Sequence, residues 1–274
     1  MCARPGEVPM VTGIEPAALG VRLEPRVAAH KLDNLLEDMK DRGGVETYLE
    51  ALRGKQRVFN AALPETRPGA LEADITEVLL DCVFPARRRL ADGVSRDPGT
   101  ASRALLDLVY AKAPLMDRMQ AFCDAFPGAD RKLRRCAWDW AAEVLHFRQP
   151  ETVPLMTRWV WDTGTMSGAV REFVAGNETM DTLPLAATPE ALEAVRVWFT
   201  EHLAASGFYR DLPFVTDLIL ARAYADYVRS VSGGLGILQG DFGARQDPME
   251  LVVKLLGIDQ RRGERHAAAS RTWH

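Results

Sequence analysis

The sequence predicts an all-α protein, a bundle of about ten helices with antiparallel neighbours and no sheet. Three observations carry that reading. Apolar residues recur three and four apart almost continuously from Val27 to Ile258, the spacing that gathers one face of a helix. No stretch shows the sustained apolar–polar alternation of a half-buried strand. The breaks between periodic stretches carry Pro, Gly and capping residues where helix ends need them. No composition shift and no interval of repeat length divides the chain. It therefore reads as an irregular N-terminal arm over 1–25, one helical domain over 26–258, and a polar, basic, mobile tail over 259–274.

The elements follow in order. Residues 1–25 hold four prolines and three glycines without periodicity. Ala28, Leu32, Leu35 and Met39 mark a first helix, stopped by Gly43-Gly44. Tyr48, Leu49, Leu52 and Phe59 mark a second, up to Pro64. Leu71 to Cys82 makes a third, ended near Pro85. "SRDPGT" opens a fourth with Leu105, Leu106 and Val109, and Met116 to Phe126 follows after Pro114. Asp130 to Phe147 is a long helix. "VPLMTRWVWDTG" and "MSGAVREFVAGN" read as two shorter ones. The clearest start is "TPEALEAV": Thr188 caps, Pro189 suits the first helical position, and Glu190 favours the positive end. That helix reaches Ser206-Gly207. Pro213 to Ser232 forms another, the glycine-rich stretch 233–243 a flexible connection or lid, and "PMELVVKLLGI" the last helix.

A chain of 274 residues buries roughly three quarters of its unfolded surface and needs no disulfide or metal to fold. Cys2, Cys82, Cys123 and Cys136 form no Cys-x-x-Cys pair, and three of them fall in apolar helical patterns, as reduced thiols do. No run approaches the ~18 apolar residues of a membrane span, and the N-terminus lacks the apolar run of a signal peptide. The expected setting is cytoplasmic and soluble. The net charge is -4. Arginine clusters at 87–89, at 131–135 and in the tail read as solvated faces, so a nucleic-acid partner is not expected.

Two polar constellations stand out. Glu143 and His146 form Glu-x-x-His, a spacing that places a carboxylate and an imidazole on one metal ion when both project into a bundle. Iron or manganese would be the metal. At roughly 100° per residue, however, His146 falls with Arg135, Asp139 and Ala142 opposite the apolar face, and Glu143 at its boundary. No second Glu-x-x-His occurs. A solvated or interface face is the default for this pair. Ferritin-like and heme-oxygenase-like enzymes resemble the chain only in general architecture.

The second constellation is His202, Asp217 and Tyr224. His202 lies inside the apolar face of Val195, Trp198, Phe199 and Leu203. Asp217 lies inside that of Phe214, Leu218 and Ala221. A carboxylate there is costly unless paired. The link "GFYRD" is short, so the two helices run antiparallel, and His202 and Asp217 come to one height. The expectation is that they meet in the core, with Tyr224 two turns along. The pair either fixes helix register or acts as a His–Asp acid–base or ligating dyad.

No complete catalytic signature is present. The leading expectation is a binding or assembly protein that holds a partner protein or an apolar small molecule between helices. The alternative is a metal-dependent helical-bundle oxidoreductase built on a core His/carboxylate site.

Overall fold

The computed structural model describes residues 19–126, 130–234, 247–271 and 273. Among the described residues there are eleven α-helices, two short 3-10 turns and no β-strand. The helices are α1 (Pro25–Lys40), α2 (Gly44–Ala62), α3 (Ala73–Asp81), α4 (Phe84–Arg96), α5 (Pro98–Tyr110), α6 (Leu115–Asp124), α7 (Arg131–Arg148), α8 (Pro189–Ala205), α9 (Leu212–Gly234), α10 (Pro248–Leu256) and α11 (Gln260–Ser270). None is long and apolar enough to cross a membrane.

The helix ends are where capping chemistry puts them. Thr188 accepts from the Ala191 amide ahead of Pro189, and Asp97, Asp130, Asp247 and Asp259 cap α5, α7, α10 and α11 in the same way. Each such cap contributes about 1 kcal/mol. Gly43 and Gly44, at φ +90° and +73°, make the turn between α1 and α2.

Helix α7 is the axis of the fold. It packs against α2, α4, α5 and α6, and from Cys136 to Phe147 every side chain except Trp138 is buried. Phe147 stacks within 5.8 Å of Phe59 on α2 and 6.0 Å of Phe214 on α9. Trp140 meets Phe122 of α6 edge-on at 5.4 Å. Burying side chains of this size contributes about 1.5–3 kcal/mol each, so one helix ties three neighbours into one apolar core.

Three expectations are corrected. The third helix does end short of Pro85, at Asp81, but Pro85 itself sits in the first turn of α4, a helix the sequence reading does not contain, because proline lacks only an amide that the first turn leaves unused. Residues 154–180 are not two helices but turns and short 3-10 segments, Ala169–Phe173 and Asn177–Thr179. Here backbone pairs with backbone: Ala169 N–H donates to the Trp159 carbonyl at 2.8 Å and Val170 N–H to that of Val160 at 3.1 Å. Gly168, at φ +135°, permits this, since a Cβ there would lie 2.6 Å from the Val160 carbonyl oxygen. The tail is not a mobile coil: its residues 260–270 form α11, which packs on α2 and α3. The end of the N-terminal arm lies on its own chain, with the Glu24 amide donating to Phe173 O and the Ala175 amide to Arg22 O, both at 2.8 Å. Arm residues 1–18 and most of the glycine-rich stretch 233–243 lie outside the described residues.

Candidate functional site

Asp139, Glu143 and His146 are spaced four and three apart on α7, and each is 1% exposed. This is the face the sequence assigned to solvent. It is buried because α7 has neighbours all round. Each residue is matched by a partner from elsewhere. Asp139 accepts from the Arg158 amide at 2.9 Å and from the Arg158 guanidinium at 2.5 Å. Glu143 accepts from Lys55 of α2, whose ammonium also donates to the Leu256 carbonyl at 2.6 Å and sits 4.2 Å from the centre of the Phe147 ring. His146 faces Asp217 of α9 at 2.8 Å.

Glu143 and His146 thus project inward, as a metal site requires, but both nitrogens of the imidazole are committed. His146 Nδ1 lies 2.7 Å from the Val153 carbonyl oxygen and Nε2 lies 2.8 Å from Asp217 Oδ2. A carbonyl and a carboxylate only accept, so both ring nitrogens donate and the ring is an imidazolium with no lone pair for a metal. Burial lowers the His146 pKa, but the Asp217 charge, the bond to Asp217 and the Val153 carbonyl outweigh it, and the net shift is upward. Burial raises Glu143 to about 7 against the pull of Lys55, and Glu143 Oε1 has no hydrogen-bond partner. Among the described residues no group of three or more His, Cys, Asp or Glu side chains is placed to hold a metal ion.

The expected meeting of His202 and Asp217 does not occur. Asp217 is buried inside its stripe as the wheel predicted, but it takes His146. His202 turns back on its own helix: Nδ1 donates to the Trp198 carbonyl at 2.7 Å, and the ring lies over Trp198 at 4.1 Å. It borders a 270 Å³ groove between α1 and α8. Tyr224 lies beside Trp159 and Tyr227 rather than extending the Asp217 pair. The cavity next to His146 and Asp217 measures 20 Å³, room for one water and not for a substrate. This pair holds α7 to α9.

The space for a ligand is elsewhere. A cleft of 430 Å³ opens between α6, α7, the 156–163 segment and the start of α8. Its apolar wall includes Met116, Trp138, Met156, Trp161 and Leu192, and four guanidinium groups line it, those of Arg131, Arg134, Arg135 and Arg158. The indoles are fixed: Trp138 Nε1 donates to Met156 O at 2.9 Å and Trp161 Nε1 to Leu185 O at 3.0 Å. Three of the arginines are paired with carboxylates, Arg134 with Asp124 at 2.6 Å, Arg135 with Asp162 at 2.7 Å and Arg158 with Asp139. Arg131 has no carboxylate partner among the described residues. Among the described residues the cleft therefore carries one positive charge with no carboxylate beside it, on the exposed Arg131.

The arginines at 131–135 were visible in the sequence as a cluster, but a cluster alone reads as a solvated face. What the sequence did not show is that Arg158 and Trp161, from a separate segment, converge on it beside Trp138 of the same helix. Lys55 was also missed, although its place between Leu52 and Phe59 on an apolar face gives the same signal as Asp217. No protein-family model matches the chain, and no curated protein or solved structure matches it.

Proposed function

We propose that this chain is a binding protein whose ligand is a small anion with an apolar body, held in the cleft between α6, α7 and α8. The observation that carries the reading is the Arg131 guanidinium, without a carboxylate partner among the described residues, lining a cleft walled by two fixed indoles and by methionine side chains. Sites for small molecules combine an apolar lining with a few placed polar groups. An arginine beside such a wall favours a carboxylate or phosphate head on a hydrocarbon or aromatic body. The alternative of an iron- or manganese-dependent oxidoreductase has less support, because the histidine it needs has no free lone pair.

Calorimetric titration with decanoate and with decyl phosphate tests the reading. Saturable binding of one equivalent is expected for at least one of them. Arg131 is exposed, so Arg131→Glu should leave the fold intact. That variant should weaken binding by tenfold or more, given that a hydrogen bond to a charged group is worth about 1.5–3 kcal/mol. Absence of saturable binding to either probe, or equal affinity in Arg131→Glu, would refute it.

A further inference from the structure

Helix α11 differs from its neighbour α10 in what anchors it. Helix α10 buries Met249, Val252, Leu255 and Leu256. Among the described side chains of α11 the only buried one is His266, and it is polar. Its ring joins a short polar chain. Cys82, at the end of α3, lies with Sγ 3.3 Å from His266 Nδ1, and His266 Nε2 lies 2.9 Å from Asp81 Oδ2. The Arg262 guanidinium reaches the other oxygen of Asp81. Burial pushes the Cys82 thiol up to about 12, so the S–H donates to Nδ1 and Nε2–H donates to the carboxylate. Beyond the helix, Trp273 is partly buried and packs against the apolar core, the one large apolar anchor at this end among the described residues.

The junction between the two helices holds a single left-handed glycine. Gly257 sits at φ +64°, and a Cβ there would lie 2.0 Å from the Cys82 carbonyl oxygen. The chain thus turns directly over Cys82, from an element anchored by four apolar side chains to one anchored by a few hydrogen bonds. Elements with little apolar burial open locally at a free-energy cost well below that of global unfolding.

We propose that α11 is a releasable clamp over Cys82, masking the thiol when docked and uncovering it when it swings out about Gly257, while the body of the protein stays folded. Cys123 and Cys136 supply an internal control. Both are buried and free, and both lie on helices that α11 does not cover. Global unfolding uncovers all three thiols, whereas clamp release uncovers Cys82 alone.

The test is pulse labelling of the full chain with N-ethylmaleimide at pH 7.5, read cysteine by cysteine by peptide mass spectrometry. Cys82 is expected to label ahead of Cys123 and Cys136. His266→Ala and, separately, Arg262→Ala should each accelerate Cys82 by about tenfold, the size expected for one lost hydrogen bond, and leave the other two unchanged. Arg262 does not touch the thiol, so its effect reports the helix and not the lost S–H···N bond. It is also partly exposed, which keeps the test valid should His266→Ala fail to fold. One common labelling rate for all three cysteines would overturn the proposal. So would acceleration by His266→Ala without acceleration by Arg262→Ala, because the thiol would then be uncovered without movement of α11.

Discussion

Replacing Asp217 with asparagine should reverse the sign of one contribution to the pH dependence of stability. In the folded protein His146 is an imidazolium between Val153 O and Asp217 Oδ2, and its pKa is raised above that of an ordinary histidine. An unfolded histidine titrates near ~6.5. The contribution of the pair is therefore complete below that value and is lost as pH rises through the folded pKa. In Asp217→Asn the amide can donate to Nε2 while Nδ1–H keeps the Val153 carbonyl. The ring is then neutral, and with the carboxylate gone burial dominates, so its folded pKa falls below the unfolded one. Stability is now complete above about pH 6.5 and lost as pH falls. Exchanging a charge-assisted bond for a neutral one should cost about 1–2 kcal/mol near pH 7. Asp217→Ala, which leaves a buried ring nitrogen unpaired, should cost about 3–5 kcal/mol. The assay is urea unfolding of wild type and both variants at pH 5.5, 7.0 and 8.5, with slopes checked for constancy. The gap between wild type and Asp217→Asn should be widest at pH 5.5 and narrow toward 8.5, since titrations elsewhere cancel in the difference. A flat gap, or one that widens with pH, would show that His146 is neutral in the native state and refute the assignment.

Two further substitutions probe the same core. Lys55→Ala should destabilise the fold by about 3–5 kcal/mol, because it strands the buried Glu143 carboxylate, whereas Lys55→Met with Glu143→Leu should come within about 1 kcal/mol of wild type or exceed it; urea midpoints distinguish these. Gly257→Ala combines a left-handed backbone with a Cβ 2.0 Å from the Cys82 carbonyl, and should lower stability by about 2 kcal/mol or more while speeding maleimide labelling of Cys82.

The helices were legible because their signals are local. Thr188-Pro189 and the spacing of Ala28, Leu32, Leu35 and Met39 name a helix start and a buried face without reference to the rest of the chain, and the structure places both as expected. Pro85 was misread because proline marks either end of a helix, and Val83 before it has no capping side chain to signal a start. The loop from 154 to 180 was misread because its buried apolar residues answer to a backbone pairing around Gly168, which sets no period in the sequence.

The core polar pairs were half legible, and the reason is physical. A charged residue inside an apolar stripe announces that it must be paired, and Asp217 and Lys55 both carry that mark. The identity of the partner is tertiary: the partners of Asp139, Glu143 and His146 lie 19, 88 and 71 residues away. Chain proximity favoured His202 for Asp217, but α9 packs against α8 on one side while Phe147 of α7 stacks on its Phe214, and α7 offers the imidazole whose second nitrogen is already held. The wheel failed on α7 for a related cause. It assumes that one face of every helix meets water, and the central helix of a bundle breaks that assumption. A polar row at positions 139, 143 and 146 then looks like a solvent face when it is a set of opposite charges for stray residues on other helices. Matching such outliers across elements, Lys55 to an acid and Asp217 to a base, before assigning any face to solvent, would have placed Glu143 and His146 in the core and removed them from the list of candidate metal ligands.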